Sequence, residues 1–413
     1  MLSLLIVALY TLLPITLLTS YSLPSGVFYG LIAASLILLS RHGFAEAWRR
    51  TQAYRGLIVS YSVLFLAVAS SSLYYGEWAG ANSEGALRFF LGLWVLLLAL
   101  GHIERLSLRQ AAWGVYIASF VSSGILLWLT LNVHARPVTP GLILTTYTSI
   151  MLLLGAISLY SIQWRLTHYI KLETSIKVLA ALAAFGGFFT AQTRTGLLGL
   201  PIFTVLAMLL FSGMRRPARS VAWFTLAAAV FVVATLTNGA LMERITQGIE
   251  EVQACHDENK IEYNSMCIRL QLWRSAIDAG ASKPWVGLGD GGKFIDYLQD
   301  VAIPKGLTGQ HVVDEYFGEP HSDLMLMFAG FGFPGLLGLL LIYAAPCTYF
   351  LPRLFKTEAS FQSKAAAAMG LAVCLGFLFF GLTETMFRRM NTIGFYTAMI
   401  AWLMVLSEPR KVD

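Results

Sequence analysis

The sequence has few charged residues. Only 13% of its 413 residues are charged, whereas roughly a quarter is usual in a soluble globular domain. Its four cysteines lack the Cys/His spacing of a zinc site, and it contains no internal repeat and no low-complexity tract. Hydrophobic residues make up 57% of the chain. These proportions exclude an ordinary soluble domain and favour a protein that lies largely in a bilayer.

Apolar runs long enough to cross a membrane recur along the chain. They predict an all-α polytopic membrane protein with about twelve transmembrane helices. The expected spans are 3–20, 24–40, 56–75, 86–104, 110–131, 141–163, 175–191, 196–212, 220–237, 323–349, 365–383 and 391–407. We expect the tenth span to bend at Gly330, Gly332 and Pro334. The first lacks a basic segment and a cleavage site, which predicts a membrane helix and not a cleaved signal peptide.

Lysine and arginine are distributed unevenly between the predicted loops. With the N-terminus inside, the cytoplasmic loops and tail hold 17 of the 29 cations, the short loops on the other side hold five, and the long loop holds seven. The positive-inside rule then places both termini in the cytoplasm and the long loop in the periplasm. We expect three regions: 1–237 with helices 1–9, 238–322 as a periplasmic loop or lid with site residues, and 323–413 with helices 10–12 and a short cytoplasmic tail.

The long loop combines mixed charge with a helical pattern over 262–280, which Pro284 ends and the glycine-rich turn 287–292 follows. It is too short for a separate enzyme domain, and we expect it to lie over the bundle. Cys255 and Cys267 share this loop. A disulfide and two free thiols are equally compatible with that placement.

Cations on the outer side of the membrane are the unusual feature of the chain. They are Arg194 in the turn 190–196, Arg269 and Arg274 on the loop helix, Arg388 and Arg389 with Glu384 in the last outward turn, and Arg136. Arginine is costly beside hydrocarbon, and its planar fork binds phosphate oxygens in pairs. Converging arginines would therefore hold a pyrophosphate. The alternative is contact with lipid headgroups or pairing with Glu84, Glu243 or Glu384, and the tight turn argues against it for Arg194.

His321 is the candidate general base. It follows Pro320 and opens an apolar helix that Ser322 or Asp323 could cap. The positive end of the helix dipole favours a neutral imidazole, which can accept a proton from a hydroxyl group. The alternative is a histidine that only caps the helix or contacts a headgroup. The remaining loop histidines are expected to be solvated, namely His134, His256 and His311. The loop's carboxylates are scattered without a DxD pattern, so we expect no metal site; they are Asp290, Asp314, Glu315 and Glu319.

Four short motifs, in this order and spacing, resemble those of the O-antigen ligase and O-antigen polymerase superfamily of bacterial membrane glycosyltransferases. They are an Arg-x-Gly turn (Arg194, Gly196), an Arg-x₃-Trp helix (Arg269, Trp273), a Pro-Trp-x-Gly-x-Gly stretch (Pro284, Trp285, Gly287, Gly289) and a His-Ser-x-Leu helix start (His321, Ser322, Leu324). Many relatives carry Asn where this chain has Ser322.

The resemblance is strongest to the ligases, and it implies an activity. The enzyme would transfer O-antigen from undecaprenyl pyrophosphate to the outer core sugar of lipid A–core at the periplasmic face of the inner membrane, with inversion and without cofactor or metal. Arg194 and Arg269 would bind the donor pyrophosphate and His321 would be the base. Candidate secondary residues are Arg136, Arg274, Glu384, Arg388 and Arg389. Besides donor and acceptor, the expected partner is membrane lipid, and nucleic acid is not expected.

Other activities are compatible with the same motifs. An O-antigen polymerase or a protein O-oligosaccharyltransferase would use the same donor with a different acceptor. A lipid-linked oligosaccharide flippase belongs to another class. It would favour charged residues along the membrane midplane and repeated halves, and the sequence has neither.

Overall fold

A computed structural model describes residues 1–42, 44–132, 137–191, 193–211, 265–315 and 318–409, with a few single residues between 239 and 255. This part of the chain is helical. In chain order the helices are α1 (Leu2–Thr19), α2 (Leu23–Ser40), α3 (Phe44–Ala53), α4 (Arg55–Tyr75), α5 (Gly80–Leu100), α6 (Arg105–Asn132), α7 (Leu144–Tyr160), α8 (Ile170–Thr190), α9 (Thr195–Phe211), α10 (Ser265–Ser282), α11 (Asp323–Phe355), α12 (Phe361–Phe380) and α13 (Met390–Ser407). Short helical turns lie at Gly291–Lys293, Phe294–Tyr297, Leu298–Ala302 and Gln310–Asp314.

Within the described ranges, nine helices are long and apolar enough to cross a bilayer: α1, α2, α4, α5, α6, α8, α11, α12 and α13. Helices of 18 to 21 residues extend about 27–32 Å at ~1.5 Å per residue, which matches a hydrocarbon core of about 30 Å. Helices α7 and α9 are apolar but shorter. The chain is therefore an all-α, multi-pass membrane protein, as the sequence predicts. The expected span 220–237 lies outside the described residues.

Helix α13 lies at the centre of the bundle. It packs against α12, α5, α2 and α11, and nearly all of its residues are buried. Helices α7 and α12 are enclosed to a similar degree. All three are apolar on every face, as expected where each side meets either protein or lipid.

The two ends of the bundle differ in their polar contacts. Helix α10 and the turn 381–389 lie at the end where α13 begins, which we call the loop end. At the opposite end Glu408 accepts hydrogen bonds from Arg50 (2.7 Å), Arg105 (3.2 Å) and the Tyr54 hydroxyl (2.5 Å). These contacts join α3, α4 and α6 to the end of α13.

Helix α11 is bent, as its sequence predicts. Gly332 has φ 64° and ψ −155°, and a Cβ there would lie 2.2 Å from the Pro284 carbonyl oxygen. The bend frees the Gly330 carbonyl, which accepts the backbone N–H of Gly289 (2.9 Å). Gly287 has φ +60°, and a Cβ on it would lie 2.4 Å from the Gly330 carbonyl carbon. The glycines of the Pro-Trp-x-Gly-x-Gly stretch therefore allow the loop to lie directly on the bent helix.

Candidate active site at the loop end

Helix α10 holds two separate pieces of backbone in place. Arg269 and Trp273 are four residues apart, which puts them on one face of the helix. Arg269 donates from Nη1 to the Thr383 carbonyl oxygen (2.7 Å), and Trp273 donates from Nε1 to the Pro320 carbonyl oxygen (2.9 Å). Through this spacing, α10 binds the backbone of Pro320, which precedes His321, and that of Thr383, which precedes Glu384.

The start of α10 is tethered as well. Cys267 forms a disulfide with Cys255, with 5.4 Å between the two Cα atoms. Of the two states that the sequence allows, the structure therefore has the bridged one. The predicted helix 262–280 is found at Ser265–Ser282.

His321 has an unusual backbone conformation. Its φ is 47°, and it is the one residue other than glycine with a positive φ among those that the structure describes. Such a conformation costs about 1–3 kcal/mol and persists only where the surroundings enforce it, often at functional sites. The next residue, Ser322, is the N-cap of α11 by position, but its side chain makes no capping hydrogen bond. The expectation that the Ser322 side chain could cap α11 is therefore wrong.

Asp323 instead fixes the turn 381–389. Its buried carboxylate accepts hydrogen bonds from the Tyr343 hydroxyl (2.9 Å) and the Phe387 backbone N–H (2.9 Å). Its own N–H donates to the Gly381 carbonyl oxygen (2.8 Å). The Phe387 ring packs among the buried aromatic rings of Phe89, Tyr343, Phe377 and Tyr396. The turn is therefore anchored in the core, with its charged residues held beside His321.

Glu384 is a buried carboxylate next to the histidine. It accepts the Thr145 hydroxyl (2.6 Å), and its Oε1 lies 3.4 Å from His321 Nδ1. Burial raises the pKa of Glu384, but the hydrogen bond and charge of His321, the Thr145 hydroxyl and the charge of Arg269 together hold that pKa below its usual range. An ionised carboxylate only accepts hydrogen bonds, so Nδ1 is the donor. In a neutral imidazole this leaves the lone pair on Nε2.

Two cavities meet at His321. The first, of about 730 Å³, is lined by Tyr21, the segment 137–145, Ser265, Ile268, Arg269, His321, Glu384 and Arg389. The second, of about 890 Å³, is lined chiefly by polar residues, among them Ser22, Ser25, Glu315, Glu319, Arg388 and Asn391. Tyr21, His321 and Arg389 belong to both. A histidine at such a junction can contact ligands in both cavities.

The structure brings some of the predicted site residues together and leaves others apart. Arg269 and His321 share the first cavity with Glu384 and Arg389. Arg194 is half-buried and lines neither cavity. The hydroxyl of its neighbour Thr193 contacts the hydroxyl of Thr148 (2.8 Å), which lies one turn beyond Thr145 on α7. Arg274 is exposed on α10 and also lines neither cavity. Arg136 lies outside the described residues.

Glu319, His321 and Glu384 form a group whose candidate ligand atoms all lie within 4.8 Å of one another, in the part of the chain that the structure describes. The carboxylates already have protein donors. Glu319 accepts from Arg388 (2.8 Å) and Thr385 (2.8 Å), and Glu384 from Thr145. The guanidinium groups beside the cluster would repel a divalent cation. The donors present therefore suit hydrogen bonding better than metal coordination.

Several contacts of the candidate site are not predicted by the sequence. Thr145 gave no signal, because a threonine in an apolar span is ordinary, and Asp323 was singled out only as a possible cap of α11. Glu319 looked isolated because its partners Thr385 and Arg388 are distant in sequence. The expectation that His311 is solvated is wrong: it is 7% exposed.

Comparison with known families agrees with the motifs. Residues 179–340, somewhat less than half of the chain, match a family model described as O-Antigen ligase. The match includes the Arg-x-Gly turn, α10, the glycine-rich stretch and the start of α11, and it confirms the resemblance to the O-antigen ligase and polymerase superfamily. A search of curated proteins found no match to the chain.

Proposed function

We propose that this protein is an O-antigen ligase. It transfers O-antigen from undecaprenyl pyrophosphate to the outer core sugar of lipid A–core, at the periplasmic face of the inner membrane. The family match and the multi-pass helical bundle support the class of enzyme. The observation that carries the proposal is the position of His321 at the junction of two cavities, the first of which also contains Arg269 and Glu384.

The first cavity is proposed to bind the donor pyrophosphate. Arg269 lines this cavity, and the planar fork of a guanidinium can donate paired hydrogen bonds to phosphate oxygens. Arg389 borders the same cavity and is the second candidate ligand. Arg194 is proposed as a third, because its turn is attached to α7 near Thr145.

The proposed reaction needs one base. Nε2 of His321 takes the proton of the acceptor hydroxyl. The hydroxyl oxygen attacks the anomeric carbon on the face opposite the pyrophosphate, so the configuration of that carbon is inverted. The bond from the anomeric carbon to the pyrophosphate oxygen breaks, and undecaprenyl pyrophosphate leaves with the bonding electron pair. Arginines neutralise the charge that develops on the leaving group. Glu384 orients the imidazole and stabilises its protonated form.

The second cavity is proposed to receive the acceptor sugar. Its serine, asparagine and carboxylate side chains offer the donors and acceptors that sugar hydroxyls need. An O-antigen polymerase or a protein O-oligosaccharyltransferase would use the same donor cavity, so only the acceptor separates these activities. A flippase would move the donor without breaking its glycosidic bond.

The test is transfer by purified protein in lipid nanodiscs. An undecaprenyl-pyrophosphate glycan is offered with rough lipopolysaccharide, a second carrier-linked glycan or a pilin-like protein, each separately. Ligation to rough lipopolysaccharide alone is the expected result. Transfer only to the second glycan or to the protein would replace the ligase by the corresponding alternative.

The base is tested by His321→Ala, which should abolish transfer while donor binding remains. The matched control is His168→Ala, since His168 is exposed at the opposite end of the bundle. Full transfer by His321→Ala would remove His321 from the mechanism.

A further inference from the structure

A third concave surface adjoins the first cavity. It is a shallow groove of about 570 Å³, lined by Gly124, Ile125, Trp128 and Leu129 of α6 and by Val138, Thr139 and Pro140. Val138 and Thr139 also line the first cavity. The groove and the cavity with Arg269, His321 and Glu384 are therefore continuous at these two residues.

The groove lies on a surface that faces lipid. On α6 the side chains of Leu127, Trp128 and Leu131 are 54%, 62% and 72% exposed, and Val138 is 86% exposed. Such apolar exposure is expected where a helix meets acyl chains. An apolar chain can thus enter the groove sideways from the bilayer, without passing through water.

Gly124 contributes to the depth of the groove. A Cβ at this position would meet no atom within 4 Å, so close helix packing does not require the glycine. Glycine within a helix costs about 1 kcal/mol relative to alanine. The space that it leaves is open to an occupant from the membrane.

The polarity changes along this path from apolar to cationic. Apolar residues of α6 line the outer end, and Arg269 and Arg389 lie in the cavity at the inner end. A ligand with a long apolar chain and an anionic head matches that order. The second cavity shares no lining residue with the groove.

We infer that the groove between α6 and residues 138–140 holds the polyprenyl chain of the donor, with its pyrophosphate in the first cavity. This inference rests on the proposed function. It assigns the α6 side of the site to the donor lipid and leaves the second cavity to the acceptor. The chain passes Val138 and Thr139 where it meets the headgroup.

The inference is tested by filling the groove. Gly124→Trp places a large side chain in it, and Gly186→Trp on α8 is the matched control, because Gly186 is also exposed and a Cβ there also meets nothing within 4 Å. The dissociation constant of undecaprenyl pyrophosphate is measured in nanodiscs, beside that of isopentenyl pyrophosphate, whose chain is too short to fill the groove. Gly124→Trp should weaken binding of the long ligand about tenfold or more, because contact of its chain with apolar protein is lost. The affinity of Gly124→Trp for the short ligand should change less than about twofold. The affinities of Gly186→Trp for both ligands should also change less than about twofold.

A second variant guards against misfolding. Val138→Trp obstructs the junction from a residue outside the helices, and it should reproduce the selective loss for the long ligand. Equal long-ligand affinity in Gly124→Trp, Val138→Trp and Gly186→Trp would overturn the groove assignment while leaving transfer by the wild type intact. No binding of undecaprenyl pyrophosphate by the wild type would instead refute the donor itself, and the groove assignment with it.

Discussion

Arg269 offers the most direct test of how the donor is held. Arg269→Ala should weaken binding of undecaprenyl pyrophosphate, whereas Arg274→Ala should not. Both arginines lie on α10, but Arg269 lines the first cavity and Arg274 is exposed and does not. The two variants remove the same charge from the same helix. Any difference between them therefore comes from position and not from net charge.

The magnitude follows from the contacts of the guanidinium. A guanidinium binds phosphate through two parallel N–H···O hydrogen bonds, so we count two hydrogen bonds to phosphate as lost. Each charge-assisted hydrogen bond contributes about 1.5–3 kcal/mol, and water replaces part of it, so the net loss is about 3 kcal/mol. Since about 1.4 kcal/mol corresponds to a factor of ten, the dissociation constant should rise about a hundredfold. Arg269→Lys keeps the charge but not the fork, and a rise of about tenfold is expected.

The assay is titration of undecaprenyl pyrophosphate into protein in nanodiscs. Loss of the bond to the Thr383 carbonyl should also lower the free energy of unfolding by about 1 kcal/mol, so thermal unfolding is measured alongside to confirm that the variants are folded. The reasoning fails if Arg269→Ala binds the donor within about twofold of the wild type. It fails equally if Arg274→Ala weakens binding as much, because a diffuse positive potential would then explain the affinity.

Three further results are expected. Glu384→Gln should lower kcat about tenfold or more and move the acid limb of the pH–rate profile to lower pH, because the protonated base loses its counter-charge. The depressed pKa of Glu384 keeps its carboxylate ionised at neutral pH, and that negative charge is lost as the pH falls through the pKa; an unshifted profile would contradict the role. Trp273→Phe keeps an aromatic side chain but removes the N–H that binds the Pro320 carbonyl, so kcat should fall several-fold at unchanged donor affinity, and a change in affinity alone would argue against positioning of His321. Chelation by EDTA should leave transfer unchanged, whereas activity lost and then restored by Mg²⁺ or Mn²⁺ would assign the Glu319–His321–Glu384 group to a metal.

The membrane spans were predictable because hydrocarbon forces the backbone into helices of matching length. The bend of α11 was predictable from Gly332 and its neighbours, since glycine is the residue that adopts its φ of 64° at little cost. The position of α13 at the centre was not predictable. A helix that is apolar on all faces has the same sequence pattern whether it contacts protein or lipid. The sequence therefore does not indicate which faces of α13 contact protein and which contact lipid.

Of the predicted site residues, Arg269, His321, Glu384 and Arg389 line one cavity, but this arrangement was not predictable. Arg269 and His321 stood out through their chemistry and their place in the chain. Asp323 did not, because its importance lies in a bond to the Phe387 backbone N–H, and Phe387 is 64 residues away. Glu384 was noticed as a charge, but its pairing with Thr145 and His321 depends on how α7, α11 and the turn 381–389 pack together. Such contacts follow from tertiary packing, which periodicity does not report.

Helix α10 also changes how the long loop should be understood. The sequence suggested a lid that lies over the bundle and carries site residues. The hydrogen bonds of Arg269 and Trp273 reach the backbone on both sides of the His321–Glu384 pair, and Gly280 lies against Phe328 of α11 so closely that a Cβ would be 2.5 Å from its ring. Moving α10 away would therefore release the supports of His321 and Glu384 together with an arginine of the first cavity. Among the described residues, α10 is therefore better described as part of the framework of the candidate site than as a lid.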